Sequence, residues 1–275
     1  FNALLGAVEN YGKHHGMKVI HGPWGFNDTD REGMLTYGFN ERATYATNYY
    51  YPYFSENMKK LGFDDESKWV EYRFKIPDKP YDRIEKLAEK LKDKVGVKDV
   101  SETMSIKAII KKYGDSLFET LNDAYGKLDG YVPIEDKMKD NVLGQFATIC
   151  NPKYISILVD KNEEVVAFGI VLPSICDTLI KHKGKLFPSG FVGVLKSIKN
   201  PTDLEMALIG VRSDYKNTGI NSIILSKISK NVIDGGVNSI ESNPMLETNY
   251  AIQAQWKFAE SEIIKRRQTY KREIV

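Results

Sequence analysis

A chain of 275 residues, 42% hydrophobic and 28% charged, is long enough for one large or two smaller globular units with a sizeable buried core. The net charge of +2 leaves no strongly basic surface, which argues against DNA and against RNA as partners. No stretch is long and apolar enough to span a bilayer, so no membrane partner is expected. Cys150 and Cys176 are too few for a disulfide framework, and with four scattered histidines they suit no metal site. Phe1 to Leu5 lack the basic start and apolar run of a signal peptide, so a cytoplasmic location is expected. The chain begins with Phe rather than Met, and its opening reads like the middle of a fold.

Leu4, Leu5, Val8 and Tyr11 recur at helical spacing up to Gly16, with His14 and His15 at a charged, solvated helix end. Met17 to His21 alternates as a short strand, broken by Gly22-Pro23. A tyrosine cluster at Tyr49, Tyr50, Tyr51 and Tyr53 follows, and an interface is the reading preferred for it over a substrate pocket. Phe54 to Leu61 predicts a helix closed by Gly62, and Trp69 to Ile76 alternates polar and apolar residues as a strand. Ile84, Leu87, Ala88, Leu91 and Val95 mark an amphipathic connecting helix, with a short strand near Val97 to Val100.

From Ile106 the expected order is helix, helix, hairpin, helix, strand, helix, strand, helix, strand. Leu117 to Tyr125 and Pro133 to Phe146 are the first two helices, and Ile155 to Val159 with Glu164 to Val171 form the hairpin. Leu204 to Val211 is a strongly apolar strand. Ile220, Ile223, Ile224 and Ile228 are the buried stripe of a helix ended by Gly235-Gly236. Val237 to Glu241 is a strand, Thr248 to Ala259 a helix, and Ile264 to Val275 a charged final strand. The whole is a mixed α/β chain.

Two regions share an order. Each runs from an apolar helix through a glycine turn to a short strand (Val19-Ile20-His21, Ser239-Ile240-Glu241). Each continues through a loop and helix to a charged strand (Val70 to Arg73, Thr269 to Arg272). The parallel predicts that residues 1–76 are the C-terminal part of one unit and 101–275 a complete one, joined by a helix and linker over 77–100.

The segment richest in chemistry is Leu208 to Ser222, where an apolar strand enters a polar turn with a glycine that opens a helix. Several N–H groups at such a junction lack an intrahelical acceptor, and the helix dipole adds positive character, so the turn suits a phosphate or pyrophosphate. Gly219 allows close backbone approach, and Lys216 can add a cation. A lone glycine at a strand-to-helix turn is also often only a turn. The spacing is neither a GxGxxG nor a Walker sequence.

The stretch resembles the acetyl-CoA-binding motif of the GNAT superfamily, with Val211, Asp214, Tyr215, Lys216, Gly219 and Ile220 at matching positions. Ser213 stands for the usual proline, Lys216 for Arg or Gln, and Asn221 for the final small residue. Asn249, Ile252 and Trp256 resemble the later segment of that family, with Trp256 at the place of a tyrosine that protonates the leaving thiolate. Leu61-Gly62-Phe63 and Glu71-Tyr72-Arg73 resemble the usual ending of such a fold. The chain as a whole is similar to a bacterial group of tandem GNAT-like proteins. The carrying patches include His21 to Asn27, Tyr51 to Phe54, Gly130 to Pro133, Leu186-Phe187-Pro188 and Leu246 to Asn249.

The resemblance implies a central mixed, mostly antiparallel sheet flanked by helices, with part of a second GNAT-like unit at the N-terminus. It implies acetyl-CoA or another acyl-CoA as co-substrate, held at Val211, Lys216, Asn217, Thr218, Gly219, Ile220 and Asn221, with Asn249 beside the thiol. Glu205, on the strand leading to that turn, and Glu241, on the next strand, become candidate bases, and Tyr270 a candidate acid. The implied reaction is N-acylation of a small-molecule or peptide amine, with a homodimer left open. Two other readings stand beside it: a GNAT-like binding or structural protein without catalysis, and a tandem-GNAT transferase drawing on aminoacyl-tRNA. The cysteines lack a histidine signature, which argues against an acyl-cysteine.

Overall fold

The computed structural model describes residues 1–25, 30–127, 131–256 and 259–274. In chain order the first elements are α1 (Asn2–His14), β1 (Val19–Gly22), β2 (Met34–Tyr37), α2 (Pro52–Lys60), β3 (Asp64–Lys75) and α3 (Asp82–Val95). Next come β4 (Lys98–Asp99), α4 (Ile106–Tyr125), α5 (Asp136–Ile149), β5 (Ile155–Val159), β6 (Val165–Pro173), α6 (Cys176–Lys181) and α7 (Ser189–Lys199). The last are β7 (Asp203–Val211), α8 (Asn221–Asp234), β8 (Ser239–Glu241), β9 (Met245–Leu246), α9 (Tyr250–Gln255) and β10 (Ser261–Glu273). Phe26, Asn27, Gly130, residues 257–258 of the expected helix and Val275 of the expected last strand lie outside the described residues. Among the described residues, no helix is long and apolar enough to cross a membrane.

Compactness follows a different line from the breaks at 76 and 100 read from chain order. Lys75–Glu241 form one compact unit, and Phe1–Phe74 pack with Ser242–Val275 to form the other. The reason lies in β10, which pairs antiparallel with β1 and β2 on one edge and with β3 on the other, although β3 lies far upstream in sequence. Proximity along the chain carries no signal for such long-range pairing.

In the unit of residues 75–241 the strand order is β8-β7-β6-β5-β4. Among its described pairings only β7 with β8 is parallel. Every residue of β5 and β6 is buried, because helices cover both faces of the sheet. A Cβ at Gly210 would meet Phe168 at 2.6 Å and Ala124 of α4 at 3.4 Å, whereas one at Gly169 would meet Ile224 of α8 at 2.4 Å. Phe168 and Gly169 are consecutive, so α4 and α8 lie on opposite faces. This is why the sequence there reads as unbroken apolar runs. A buried polar knot ties β4 to β5 and α8. Asp99 accepts from Ser156 Oγ at 2.6 Å and from Lys227 Nζ at 3.0 Å, and Lys227 also donates to Ser101 Oγ at 2.7 Å.

Helix ends follow local chemistry. Ser105 Oγ accepts from Ala108 N at 3.3 Å and caps α4, and α3 stops at Gly96, whose φ is 67°. The expected helix over 248–259 is shorter, and two helices, α6 and α7, stand where one was expected.

In the other unit, Met34, Met58, Phe63 and Tyr270 make a core with Leu5, Ile20, Tyr50 and Phe54 packed against it. Tyr49, Tyr51 and Tyr53 are exposed and contact one another edge-on or stacked. Period-two alternation placed Glu71 on the polar side of its strand, yet Glu71 is wholly buried, as are Lys265 and Arg267. Lys265 is the direct register partner of Glu71 and donates to it at 3.1 Å, and Arg267 Nε donates at 2.5 Å. Arg267 Nη1 also reaches the carbonyl of Asn48 at 2.7 Å. Two cations on one carboxylate satisfy charges that would be costly to bury singly. Glu71→Gln strips both of their shared anion. We expect a loss of about 3–5 kcal/mol, read as a lower urea midpoint at unchanged slope; a loss below about 1 kcal/mol would show that the pair is dispensable.

Candidate active site

The candidate site lies within the unit of residues 75–241 and is set by how β7 and β8 meet. Their parallel pairing joins Asp203 to Ser239, Leu204 to Ile240 and Glu205 to Glu241, where β8 ends. β7 runs on to Val211. Opposite it, β6 shifts register between Ile170 and Val171, so the extra residue in β7 falls at Ala207. Such bulges re-aim side chains and recur beside active sites.

Glu205 and Glu241 are 3% and 2% exposed, and as register partners on neighbouring strands they project to the same face. Glu205 Oε1 accepts from Ser174 Oγ at 2.6 Å and from the Cys176 thiol at 3.4 Å. Ser174 and Cys176 come from the segment that leaves β6 and starts α6, so the end of one strand orients the carboxylate of the next. Sequence reasoning missed both, because their link to Glu205 exists only in the folded sheet.

Beyond Val211, Arg212 anchors the turn. Its guanidinium donates to both Asp214 oxygens at 2.8 and 3.0 Å and to Glu164 at 3.0 Å, and lies 3.6 Å from Asp160. The hydrogen bond to Asp214 raises the Arg212 pKa, and the same contact holds the Asp214 carboxyl below its ordinary value. Asp123 accepts from Ser213 N at 2.5 Å, which fixes the single 3-10 turn Ser213–Tyr215. Arg212 is a further residue that sequence reasoning overlooked; the Arg-x-Asp spacing after a strand was the available signal.

Lys216, Asn217, Thr218 and Gly219 are exposed, and Ile220 is buried. Asn217 and Gly219 have φ of 64° and 82°. Among the described residues, the N–H groups of Asn217 and Gly219 donate to no protein acceptor, and that of Ile220 reaches only Thr218 Oγ1 at 3.4 Å. Thr218 Oγ1 donates to Tyr215 O at 2.7 Å and Ser222 Oγ to Gly219 O at 2.7 Å, closing the turn on itself. A turn with left-handed residues and N–H groups not engaged by protein acceptors, at the start of α8, is a geometry suited to an anion. A Cβ at Gly219 would meet Leu91 of α3 at 3.0 Å, in a backbone conformation that already favours glycine. The residues therefore fit a pyrophosphate. Asn221, at the first position of α8, is partly buried and carries more bulk than Gly or Ala.

Two predicted site residues belong to the other compact unit. Asn249 caps α9, its side-chain oxygen accepting from Ile252 N at 3.3 Å. Tyr270 is fully enclosed among Met34, Met58 and Phe63, and burial raises its pKa. Trp256 packs edge-on against Phe74 with ring centroids 5.0 Å apart. The Cys150 thiol is pushed up to about 12 by burial, which makes it a poor nucleophile.

No family model matches the chain. Protein YghO of Escherichia coli K12 is 23% identical over 283 residues, covering all of this chain and 70% of that protein. A bacterial ceramide synthase of Caulobacter vibrioides is 20% identical over 258 residues, covering 92% of this chain and 66% of its own length. The chain thus spans about two thirds of the curated relatives it matches. Among solved structures, a tandem GNAT protein from the clavulanic acid biosynthesis pathway superposes with a TM-score of 0.51 at 11% identity, covering 100% of this chain and 70% of that one. With its mostly antiparallel sheet and flanking helices, the chain has the GNAT fold.

Proposed function

We propose that the chain is an acyl-CoA-dependent N-acyltransferase in which Glu205 accepts the proton of an attacking amine, directly or through one water. The observation that carries this reading is a buried carboxylate where two parallel strands part, on the same strand that leads into an anion-cradling turn. Acyl-CoA would supply an activated thioester, whose C–S bond breaks as the amide bond forms and whose CoA leaves as the thiol. The Asn217 and Gly219 amides hold its pyrophosphate, with Lys216 alongside, and Val211, Thr218, Ile220 and Asn221 frame the turn. Ser174 and Cys176 hold Glu205 in place, and Glu241 lines the same face. In this reading residues 1–76 are the C-terminal part of a first GNAT-like unit before a complete one over 101–275. The similarity to a ceramide synthase supports an amphiphilic amine as the acceptor.

A second reading, a scaffold that keeps the fold without turnover, is favoured by one set of contacts. Asn249 is engaged in a helix cap, Trp256 stands at the tyrosine position against Phe74, and Tyr270 is sealed in a core. Nothing comparable favours an aminoacyl-tRNA donor, for which a net charge of +2 is a weak attraction.

Thermal unfolding with acetyl-CoA and with a long-chain acyl-CoA separates these readings. Ligand at a hundred times its dissociation constant is expected to stabilise the wild type by about 2.7 kcal/mol. Gly219→Val should abolish the shift, because its Cβ would press on Leu91. No shift with either ligand sinks the acyl-CoA reading. In a thiol-release assay with amine acceptors, Glu205→Gln is expected to lower kcat/KM roughly 10²–10⁴-fold while the ligand-induced shift persists. Binding with no turnover by the wild type across an amine panel would instead establish the scaffold reading.

A further inference from the structure

The connection between β6 and β7 turns usual helix amphipathicity inside out. In α7 the residues that face α6 are small. A Cβ at Gly193 would meet Thr178 Cγ2 at 2.8 Å, one at Gly190 would meet the Lys185 carbonyl at 2.1 Å, and Ser197 Oγ lies 2.9 Å from Thr178 Oγ1. Three large apolar residues face outward, Phe191 at 44% exposed, Val192 at 65% and Leu195 at 50%, while Val194 and Ile198 are half-buried. At 100° per residue the three outward residues span an arc of about 100°, with Lys199 inside it and Lys196 about 40° beyond its edge. The loop before the helix extends the patch. Phe187 is 79% exposed and stacks on Phe191 at 5.7 Å, and Leu186, which precedes it, and Ile180 of α6 are exposed too. A helix built for water would hide Phe and Leu and show Gly and Ser.

Charge identifies what covers the patch. From Cys176 to Thr202 the chain holds Lys181, Lys183, Lys185, Lys196 and Lys199 against one acidic residue, Asp177 in the first turn of α6, in a protein whose overall charge is only +2. Exposed aromatic and aliphatic side chains rimmed by lysines, whose stems can lie along an apolar surface, match the interface of a bilayer bearing anionic headgroups. A protein partner would require acidic residues around an apolar centre; a lipid surface supplies phosphates and hydrocarbon together.

We propose that the α6–α7 hairpin is a peripheral membrane-docking element, seating Phe187, Phe191, Val192 and Leu195 at the headgroup–acyl boundary of an anionic bilayer. This does not rest on the acyl-transfer reading. It departs from the expectation of no membrane partner, which considered only spanning length. Docking involves one surface and no crossing helix.

The test is co-sedimentation of the full chain with phosphatidylcholine vesicles, with and without phosphatidylglycerol, at low and high salt. The wild type is expected to partition onto the anionic vesicles and to release as salt rises. Phe187→Ser with Phe191→Ser, and separately Lys181→Glu with Lys185→Glu, should each reduce partitioning by roughly tenfold or more. All four positions are exposed, so unchanged circular dichroism and Tm are expected for both variants. Absence of wild-type binding to anionic vesicles overturns the proposal, as does equal binding by wild type and variants. If instead the wild type stays off vesicles, is dimeric by light scattering, and the phenylalanine variant is monomeric, the patch is an interface between copies.

Discussion

Three register pairs hold β8 to β7, and the features of the candidate site follow from where they stop. Parallel pairing forces Glu205 and Glu241 onto one face at the same height. Its end leaves the remainder of β7 to carry the chain to Arg212 without β8 alongside. The bulge at Ala207 lies in that stretch. A longer β8 would extend the pairing past Glu205, and a shorter one would undo the register that sets the two carboxylates side by side.

Buried ions recur in both units and do different work in each. Glu71, Lys265 and Arg267 join two neighbouring antiparallel strands from inside. Asp99 gathers two serine hydroxyls and Lys227, and thereby locks an edge strand and α8 to the sheet centre. Such groups contribute less net stability than an apolar core, because desolvation offsets much of their attraction. Their contribution is to register, since an ion displaced by one position loses its partners. Arg212 does the same at the surface for the anion turn.

What the sequence made legible was local. Apolar runs marked β5, β6 and β7 because both faces of that sheet are covered, and the glycine of the turn stood out because only it suits that backbone. The connecting helix was visible from its stripe of Ile84, Leu87, Ala88 and Leu91. The rest depended on contacts between distant segments. Burial of Lys265 and Arg267 cannot be read from a charged strand without knowing that Glu71 sits opposite. Ser174 and Cys176 lie far from Glu205 in sequence. The α6–α7 hairpin was read as a single helix for another reason: several of its large residues point outward, so a search for a buried stripe finds glycines in the place of leucines. β2 is four residues long and has no pattern of its own.

The placement of the two cysteines has a practical side. Cys176 is enclosed against Glu205, and Cys150 holds its proton to about 12. Cys150 therefore offers little thiolate to a maleimide at neutral pH, and burial shields Cys176 from one. The chain is therefore close to a cysteine-free background for site-directed labelling, with no native thiol to remove. A Val192→Cys variant would take a polarity-sensitive dye at one chosen point of the α7 surface, and its emission would report the immediate surroundings of that helix during titration.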